Sequence, residues 1–460
     1  MIRGKSSPRG IGVVLAVAAV LAAGATAAEA EVAQAVPCPE ASAGQVSCIA
    51  GNLGDGTPYR FVKPGRWNGA VLVDLDFAAD AGATPLTTQL LERGFAVGGT
   101  TRTITNWRIA QAIDNQAAAL DKFEAAFGPA RWSIAEGRSM GGFVAAGVAQ
   151  VHPERFDAAV PMCGGLGGSV GQWNQKLDTV FTLATLQFPG SSLPVTGIPA
   201  DVPGAQAQWV AALSAAQKTP EGRARLALAA VIGQLPGWGL AADGTTTPVP
   251  GKRDVAGVEN GMFLALAGGP LPYIGQAMSS RRAIEQVTGG NPSWNTGVDY
   301  TRQFAQADES RRDVVRRLYA DAGLDLGKDF RQLASAPRIP ADPAAVSAFA
   351  KGIVFTGELR IPVLTVNGIG DQISTVAQQQ SYGELARRRG NAPLLRQTYV
   401  RTAGHCTFTV GEQVAAIGSM LDRLRTGHWP DVSPRTMNRQ AGDGRYLSYT
   451  PPRFNRAYSG

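Results

Sequence analysis

Between residues 59 and 163, short apolar runs alternate with segments in which apolar side chains recur at helical spacing. The run at 70–73 is typical of a buried strand, and residues 107–127 have the spacing of an amphipathic helix. Strands that alternate with helices pair in parallel through crossover connections. The pattern therefore predicts an α/β fold built on a layered, mostly parallel sheet.

The alternation stops after residue 163 and resumes with an apolar strand pattern at 361–366. The roughly 190 residues between contain several helical stretches and exceed an ordinary connection, so we expect a mainly helical cap over one end of the sheet. The tail has little periodicity and is expected to be an extended strap or partly disordered. The expected organisation is a signal peptide at 1–30, core segments at 31–163 and 357–432, a cap at 164–356 and a tail at 433–460.

Residues 1–30 have the features of a secretory signal peptide. Arg3, Lys5 and Arg9 form a basic start, and residues 11–23 are an apolar run too short to span a bilayer comfortably. Small residues suited to cleavage follow. A retained N-terminal anchor is the alternative interpretation. Because no second segment reaches membrane-spanning length, we expect a secreted mature protein without stable membrane association.

The charged residues do not indicate a nucleic-acid partner. The formal charge is +7, and it falls to +5 when residues 1–30, with three basic residues and one acidic residue, are removed. The remaining basic residues are scattered in short clusters, whereas nucleic-acid binders usually gather them on one face. We therefore expect no nucleic-acid partner. A small-molecule or polymer-derived substrate is the expected partner.

Four cysteines in an exported chain favour disulfides. Cys38 and Cys48 are close in sequence and are expected to pair, which leaves Cys163 and Cys406. The chain has three histidines and no Cys-x-x-Cys or His-x-x-x-His spacing, so a zinc site is not expected. No metal or organic cofactor is implied.

Residues 137–141, Gly-Arg-Ser-Met-Gly, match the pattern G-x-S-x-G. In this motif the serine lies on a sharp turn between a strand and a helix, and side chains at the flanking glycines would collide with neighbouring elements. A second match at 167–171 weakens the motif as evidence. Ser139 follows an apolar strand pattern and begins a small-residue helix, whereas Ser169 follows a loose glycine run. The context favours Ser139 as the nucleophile.

The expected chain order of nucleophile, acid and histidine selects the partners. His405 follows a strand at 395–400, and Asp371 follows the strand at 361–366. Catalytic groups collect in loops at the carboxyl ends of strands in open α/β sheets. The alternatives to His405 are weaker: His152 ends the helix after Ser139, and His428 follows a helix. Glu358, the alternative to Asp371, precedes its strand.

Three segments, at 67–72, 137–155 and 404–409, resemble the α/β-hydrolase superfamily, and more narrowly its secreted actinobacterial serine hydrolases. The resemblance implies an α/β-hydrolase sheet, mostly parallel, with helices on both faces and a large, mainly helical cap inserted before the acid-bearing strand. The adjacent His405 and Cys406 are similar to the tannase and feruloyl esterase group, where that cysteine is bridged to one beside the nucleophile. Arg and Met occupy those flanking positions here, so the resemblance implies Cys163 as the substitute partner.

The resemblance also implies an oxyanion hole formed by the backbone amides of Met140 and about Phe77. Relatives usually carry a His-Gly pair at the second position, where this chain has Asp74-Leu75-Asp76. Two carboxylates pointing inward would oppose a developing oxyanion. Because of this difference from relatives, the sequence does not determine which groups form the oxyanion hole.

The leading hypothesis is a secreted serine hydrolase that cleaves carboxylic esters through an acyl-enzyme, with Ser139 attacking, His405 transferring the proton and Asp371 orienting His405. A secreted peptidase or amidase with the same triad is an alternative, and so is a non-catalytic binding protein that keeps the fold. Aromatic residues are candidates for lining a substrate cleft, although aromatics are more often core. They are Trp107, Trp173 and Phe408, with Trp238 and Phe77 as further members.

Overall fold

A computed structural model describes residues 34–36, 38, 45–79, 84–251 and 253–460. The expected signal peptide at 1–30 lies outside the described residues and stays a prediction. Within the described part of the chain, none of the helices combines the length and the apolar character needed to cross a lipid bilayer.

Ten strands of the described chain form one mixed sheet in the order β1-β2-β3-β5-β4-β6-β7-β8-β9-β10. The strands are β1 (Gln34–Ala35), β2 (Val46–Asn52), β3 (Pro58–Pro64), β4 (Ala70–Asp74), β5 (Ala96–Thr100), β6 (Trp132–Arg138), β7 (Ala158–Met162), β8 (Val363–Gly370), β9 (Leu395–Ala403) and β10 (Tyr446–Leu447). The six from β5 to β9 in this order pair in parallel, and the strands at the two edges pair antiparallel. The parallel sheet predicted from the alternating pattern is confirmed.

Fifteen helices surround the sheet within the described residues. They are α1 (Pro85–Glu92), α2 (Ile109–Phe127), α3 (Met140–Val151), α4 (Gly168–Leu186), α5 (Val202–Ala216), α6 (Pro220–Ile232), α7 (Val255–Ala267), α8 (Tyr273–Thr288), α9 (Tyr300–Gln306), α10 (Glu309–Asp321), α11 (Leu326–Ser335), α12 (Pro343–Ala350), α13 (Val376–Arg388), α14 (Val410–Thr426) and α15 (Pro434–Ala441). Short 3-10 helices cover Phe77–Ala79 and Ala392–Leu394.

Helices cover both faces of the sheet because its central strands are apolar on both sides, as parallel strands usually are. One hydrophobic cluster joins the sheet to α2, α3 and α13, and contains Ile113, Phe143 and Tyr382. A second cluster joins the opposite face to α1, α14 and α15, with Leu91 and Met420 among its members. Each face therefore has its own core, and the strand ends between them remain available for loops.

The segment between β7 and β8 contains α4 to α12 and has a third hydrophobic cluster of its own. Nearly every residue of α4 is buried, because this helix packs against α6, α8, α11 and α12 and against the turn after β8. The segment is helical, as expected for residues 164–356. One isolated bridge joins Leu240 to Thr246 in the described residues between β7 and β8.

The tail is not extended throughout, which corrects the expectation for residues 433–460. It begins with α15, where Pro434 occupies the first turn and Met437 is fully buried against the sheet cluster. β10 then adds to β9, and the last residues cross to the helical segment. Phe454 is buried, and the side chain of Gln234 bonds the backbone of both Arg453 and Asn455. The end of the chain thus ties the sheet to the cap helices.

Arg456 in this tail is the cation nearest to a buried carboxylate of α4. Its Nε lies 3.5 Å from Oδ2 of Asp178. Oδ2 also accepts a 2.9 Å hydrogen bond from Gln303, and Oδ1 accepts a 3.1 Å bond from the hydroxyl of Tyr300. Burial raises the pKa of Asp178 to about 6, and the charge of Arg456 opposes that rise. The tail therefore supplies part of the charge balance inside the cap.

We expect Arg456→Met to lose more stability at pH 8 than at pH 5. A carboxyl whose folded pKa is raised contributes stability that is complete below its unfolded pKa and is lost as pH rises through the folded pKa. Removing Arg456 raises the Asp178 pKa further and deepens that loss. Thermal unfolding at the two pH values measures it, with the exposed neighbour Arg453→Met as the control. An equal deficit at both pH values contradicts the interpretation.

Candidate active site

Ser139 lies at the turn between β6 and α3 in a left-handed backbone conformation, with φ 57° and ψ −118°. Such a conformation is strained for a residue with a side chain and is typical of a nucleophile elbow. A Cβ at Gly137 would lie 2.6 Å from Oδ1 of Asp74, and one at Gly141 2.8 Å from the same atom. Gly137 is therefore required, because its φ is +153° and a Cβ there would also lie 2.8 Å from the backbone carbon of Gly141; a Cβ at Gly141 would displace the carboxylate of Asp74.

The carboxylate of Asp371 follows the last residue of β8 and is completely buried. Its Oδ1 accepts hydrogen bonds from the backbone amides of Ile373 (2.8 Å) and Ser374 (2.9 Å). These bonds fix the carboxyl group in a tight turn. The position matches the strand-end placement that the sequence predicted.

His405 follows β9 and bridges the other two side chains. Its Nδ1 lies 3.0 and 2.9 Å from the two carboxylate oxygens of Asp371, and its Nε2 lies 2.7 Å from Oγ of Ser139. Only 6% of the His405 side chain is exposed. The three residues are far apart in sequence, and the structure brings them into one hydrogen-bonded chain with the geometry of a nucleophile, a base and an orienting acid.

The loop that carries His405 is fixed from two sides. A disulfide joins Cys406 to Cys163, which lies directly after β7, and a second disulfide joins Cys38 to Cys48. Both pairings are those expected from the sequence and the resemblance. The first one attaches the histidine loop to the sheet beside the elbow.

The second support is a buried ion pair behind the same loop. Arg445 makes two 2.7 Å bonds to the carboxylate of Glu412, whose side chain has no exposure, and donates a 2.9 Å bond to the carbonyl oxygen of Thr407. Glu412 also forms a capping box with Thr409 at the start of α14. The loop backbone is thus held by a charge pair that connects α14 with the tail.

The acidic residues at the end of β4 do not bring two free carboxylates to Ser139. Asp76 forms a two-bond ion pair with Arg102. Asp74 packs against the elbow, and desolvation raises its pKa well above the ordinary range, with the charge of Asp76 adding to the rise. Glu136, its register partner on β6, has a pKa raised by desolvation and by the charge of Asp74. Protonation thus lowers the negative charge that this pair carries beside the elbow.

Lys176 on α4 is a site residue that the sequence did not reveal. Its Nζ is buried and donates a 3.2 Å bond to the carbonyl oxygen of Ile373, in the turn that holds Asp371. Burial lowers the pKa of Lys176 to about 7, the charge of Asp371 opposes that change, and the charge of Arg281 adds to it. No motif marks this lysine, because the turn that it contacts follows β8, almost 200 residues further along the chain.

A cavity of about 230 Å³ opens beside Ser139, between the sheet loops and the helices α4 and α8. Trp107 lines it, and its role in substrate binding stays a prediction. Trp173 is buried and lies behind Trp107, with the ring centroids 5.4 Å apart. Phe408 packs in the cluster on one face of the sheet. Neither Trp173 nor Phe408 is part of the cavity lining, which corrects their placement at the cavity surface.

The oxyanion-hole candidates lie on two elements near the elbow. Met140 is the first residue of α3, so its amide belongs to the helix N-terminus that follows Ser139. Phe77 begins a 3-10 helix after β4, and its side chain packs against the sheet cluster. The roles of both amides stay predictions. Trp238, the remaining aromatic candidate, packs with Leu240.

The weaker sequence candidates lie elsewhere. Ser169 is buried in the first turn of α4, where its Oγ accepts a 3.2 Å bond from the amide of Ile353. His152 caps α3 and contacts Asp114, and His428 is exposed after α14. Glu358 is exposed and lies 3.7 Å from Arg389. Ser169 therefore has a structural role in a helix rather than an elbow geometry.

One group of residues has potential metal ligands close together. Side-chain atoms of Cys163, Asp371 and Cys406 lie within 4.8 Å of one another. Both sulfur atoms belong to the disulfide, and metal ligation by cysteine requires the thiolate. The group therefore does not fit a metal ion while the disulfide is formed.

The mixed sheet, helices on both faces and elbow after β6 define this chain as an α/β-hydrolase. No family model matches the chain. It is 33% identical over 423 residues to an o-phthalyl amidase from Xanthobacter agilis, an alignment that covers 84% of this chain and 89% of that protein. The chain belongs to the family of this amidase, and it is an enzyme of the hydrolase type.

Solved structures similar to this chain include esterases and a tannin acyl hydrolase from two Aspergillus species. An esterase from Aspergillus oryzae is 12% identical, with a TM-score of 0.42 and coverage of 87% of this chain and 85% of that one. Feruloyl esterase B from Aspergillus oryzae is 12% identical, with a TM-score of 0.38 and coverage of 84% and 81%. Tannin acyl hydrolase from Aspergillus niger is 15% identical, with a TM-score of 0.38 and coverage of 84% and 79%.

We expect Arg445→Met to destabilise the protein by on the order of 3 kcal/mol, because it leaves the buried Glu412 carboxylate without its cation. The double variant Arg445→Met, Glu412→Gln should recover part of that loss. Urea unfolding gives both values. The control is Arg387→Met, which removes an exposed pair with Glu384 and should change the free energy of unfolding by less than about 1 kcal/mol. Equal losses in the single and double variants would contradict the proposed cause.

Proposed function

We propose that this chain is a serine hydrolase in which Ser139, His405 and Asp371 form the catalytic triad and cleave carboxylic esters through an acyl-enzyme. The single observation that supports the proposal is the 2.7 Å contact between His405 Nε2 and Ser139 Oγ, with Asp371 on the other ring nitrogen. Each contact lies within the range required for proton transfer or for orienting the base.

In the proposed mechanism, Ser139 Oγ attacks the carbonyl carbon of the substrate while His405 Nε2 takes the hydroxyl proton. The imidazolium that forms is stabilised by Asp371, whose charge stays on the carboxylate. His405 then gives the proton to the leaving alcohol as the bond to the acyl carbon breaks. Water, deprotonated by His405, attacks the acyl-enzyme and releases the acid and the free serine.

The negative charge of each tetrahedral intermediate needs hydrogen-bond donors beside the elbow. We assign them to the amides of Met140 and about Phe77. The Met140 amide lies at the N-terminus of α3, where the helix dipole favours negative charge. The ion pair between Asp76 and Arg102 and the raised pKa of Asp74 both reduce the opposing negative charge near this position.

Amide hydrolysis is the second candidate function, and one observation favours it. The relative that is 33% identical is named an o-phthalyl amidase. The same triad hydrolyses esters and amides, because in both the histidine protonates the leaving group after the serine has attacked. We therefore extend the proposal to amides of small aromatic acids, with esters as the more easily cleaved class.

Secretion belongs to the same proposal. The residues 1–30 have the composition of a signal peptide, and two disulfides join all four cysteines of the chain. Disulfides persist in oxidising compartments, which supports an extracytoplasmic location. We propose that the enzyme acts on its substrate outside the cytoplasm.

We expect Ser139→Ala to lower ester turnover by roughly 10⁴-fold or more and to abolish labelling by a fluorophosphonate, because both require the serine oxygen. Peptide mapping of the labelled wild-type enzyme should locate the probe on Ser139. Ser169→Ala, at the other G-x-S-x-G match, is the matched control and should retain both labelling and turnover. Labelling that persists in a folded Ser139→Ala variant would rule out the proposed nucleophile.

The ester and amide proposals separate when one acyl group is offered with two leaving groups. We expect turnover of a 4-nitrophenyl ester and slower turnover of the matching 4-nitroanilide, since an anilide leaves less readily than a phenolate. The absorbance of the released 4-nitrophenolate and 4-nitroaniline follows the two reactions. His405→Ala is the inactive reference. Complete absence of ester turnover, together with absence of fluorophosphonate labelling, would favour a non-catalytic binding protein instead.

A further inference from the structure

The cavity beside Ser139 has one ionised side chain in its lining. That side chain is Arg102, which is 36% exposed and lies in the loop after β5. Its Nε and one terminal nitrogen bond Asp76, and among the described residues its other terminal nitrogen, Nη1, has no hydrogen-bond partner. A guanidinium offers five donors, so the pair with Asp76 leaves capacity for a second carboxylate.

A second feature of the lining is an unpartnered buried amide. Gln172 on α4 is only 6% exposed, and the nitrogen of its side-chain amide, Nε2, has no hydrogen-bond partner among the described residues. The amide contacts Gly165, where a Cβ would lie 2.5 Å from the Gln172 oxygen. The carbonyl oxygen of Gln276 on α8 is also buried without a partner. Buried polar groups of this kind are costly unless something binds them.

The rest of the lining suits a small ring. Trp107, Phe143, Leu271 and Ile373 provide apolar surface in the same cavity. The volume of about 230 Å³ is below the range of pockets that hold drug-sized ligands, so it fits one small group rather than an extended polymer. The lining therefore combines an apolar wall, one cation and one buried amide donor.

We propose that Arg102 and Gln172 determine specificity by binding a carboxylate on the acyl group of the substrate, while Trp107 contacts its ring. The proposal rests on the acyl-enzyme function proposed above and assigns the residues that bind the acyl group. The acyl class itself, a small aromatic acid that keeps a second, free carboxylate, follows from the name of the o-phthalyl amidase relative. Arg102 supplies the charge, and the Gln172 amide donates to a carboxylate oxygen. Asp76 competes for the same guanidinium and so lowers the affinity of Arg102 for the substrate carboxylate.

The test measures binding to the Ser139→Ala variant by isothermal titration calorimetry, so that turnover is not needed. The ligands are phthalate and its neutral analogue phthalamide. We expect phthalate to bind at least tenfold more tightly, because charge-assisted hydrogen bonds to a guanidinium are stronger than neutral ones. Equal affinity for the two ligands, or no phthalate binding by the folded variant, would overturn the assignment.

Substitutions in this background then assign the residues. Arg102→Gln should reduce the phthalate-to-phthalamide affinity ratio to near one. Arg102→Lys should give an intermediate ratio, because lysine keeps the positive charge but lacks the two parallel N–H donors of the guanidinium. Gln172→Leu should weaken phthalate binding several-fold. Asp76→Asn should raise the ratio, since it removes the competing carboxylate. A ratio unchanged by Arg102→Gln would show that another group binds the anion.

The matched control is Arg331→Gln, which removes an exposed arginine paired with Asp325 on the far part of the cap and should leave the ratio unchanged. The fluorophosphonate experiment on the wild-type enzyme separates the two proposals. Loss of labelling would contradict the catalytic function, whereas equal affinities for the two ligands would contradict only the specificity assigned to Arg102 and Gln172.

Discussion

The strained turn at Ser139 is the constraint on which the rest of the structure depends. A serine held at φ 57° costs about 1 to 3 kcal/mol, and it persists only where the surrounding packing leaves no alternative. Here β4 approaches the elbow so closely that Gly137 and Gly141 have no room for a side chain. The same packing aligns α3 behind Ser139, so its hydroxyl projects from the carboxyl edge of the sheet, where the loops after β8 and β9 reach it.

Those two loops are stabilised by different interactions. Backbone amides hold the carboxylate of Asp371, so this loop is fixed by its own turn and by Lys176 from the cap. The loop with His405 is fixed by the disulfide to Cys163 and by Arg445 from the tail. The loop of Asp371 is therefore coupled to the helical segment, and the loop of His405 is coupled to the sheet and the end of the chain. A substitution in either region should therefore change the position of Asp371 or His405 through a short series of contacts.

The negative charge of the carboxyl groups near Ser139 is reduced in two ways, by an ion pair and by desolvation. Asp76 is neutralised by Arg102, while Asp74 and Glu136 have raised pKa values because little water reaches them. The departure from the His-Gly sequence of relatives therefore does not by itself bring two full negative charges to the oxyanion position. It also leaves the guanidinium of Arg102 at the cavity wall.

The sequence by itself determined the alternating sheet, the elbow at 137–141 and the order of Ser139, Asp371 and His405, because hydrophobic periodicity, glycine spacing and strand-end placement are local properties. It did not place the helix of the tail or assign Trp173 to the layer behind Trp107. Only the tertiary structure decided those features, and only it joined Lys176 to the turn of Asp371 and Arg102 to Asp76. These contacts connect elements that are distant in the chain, and packing between layers, rather than any repeating pattern, selects which side chains meet.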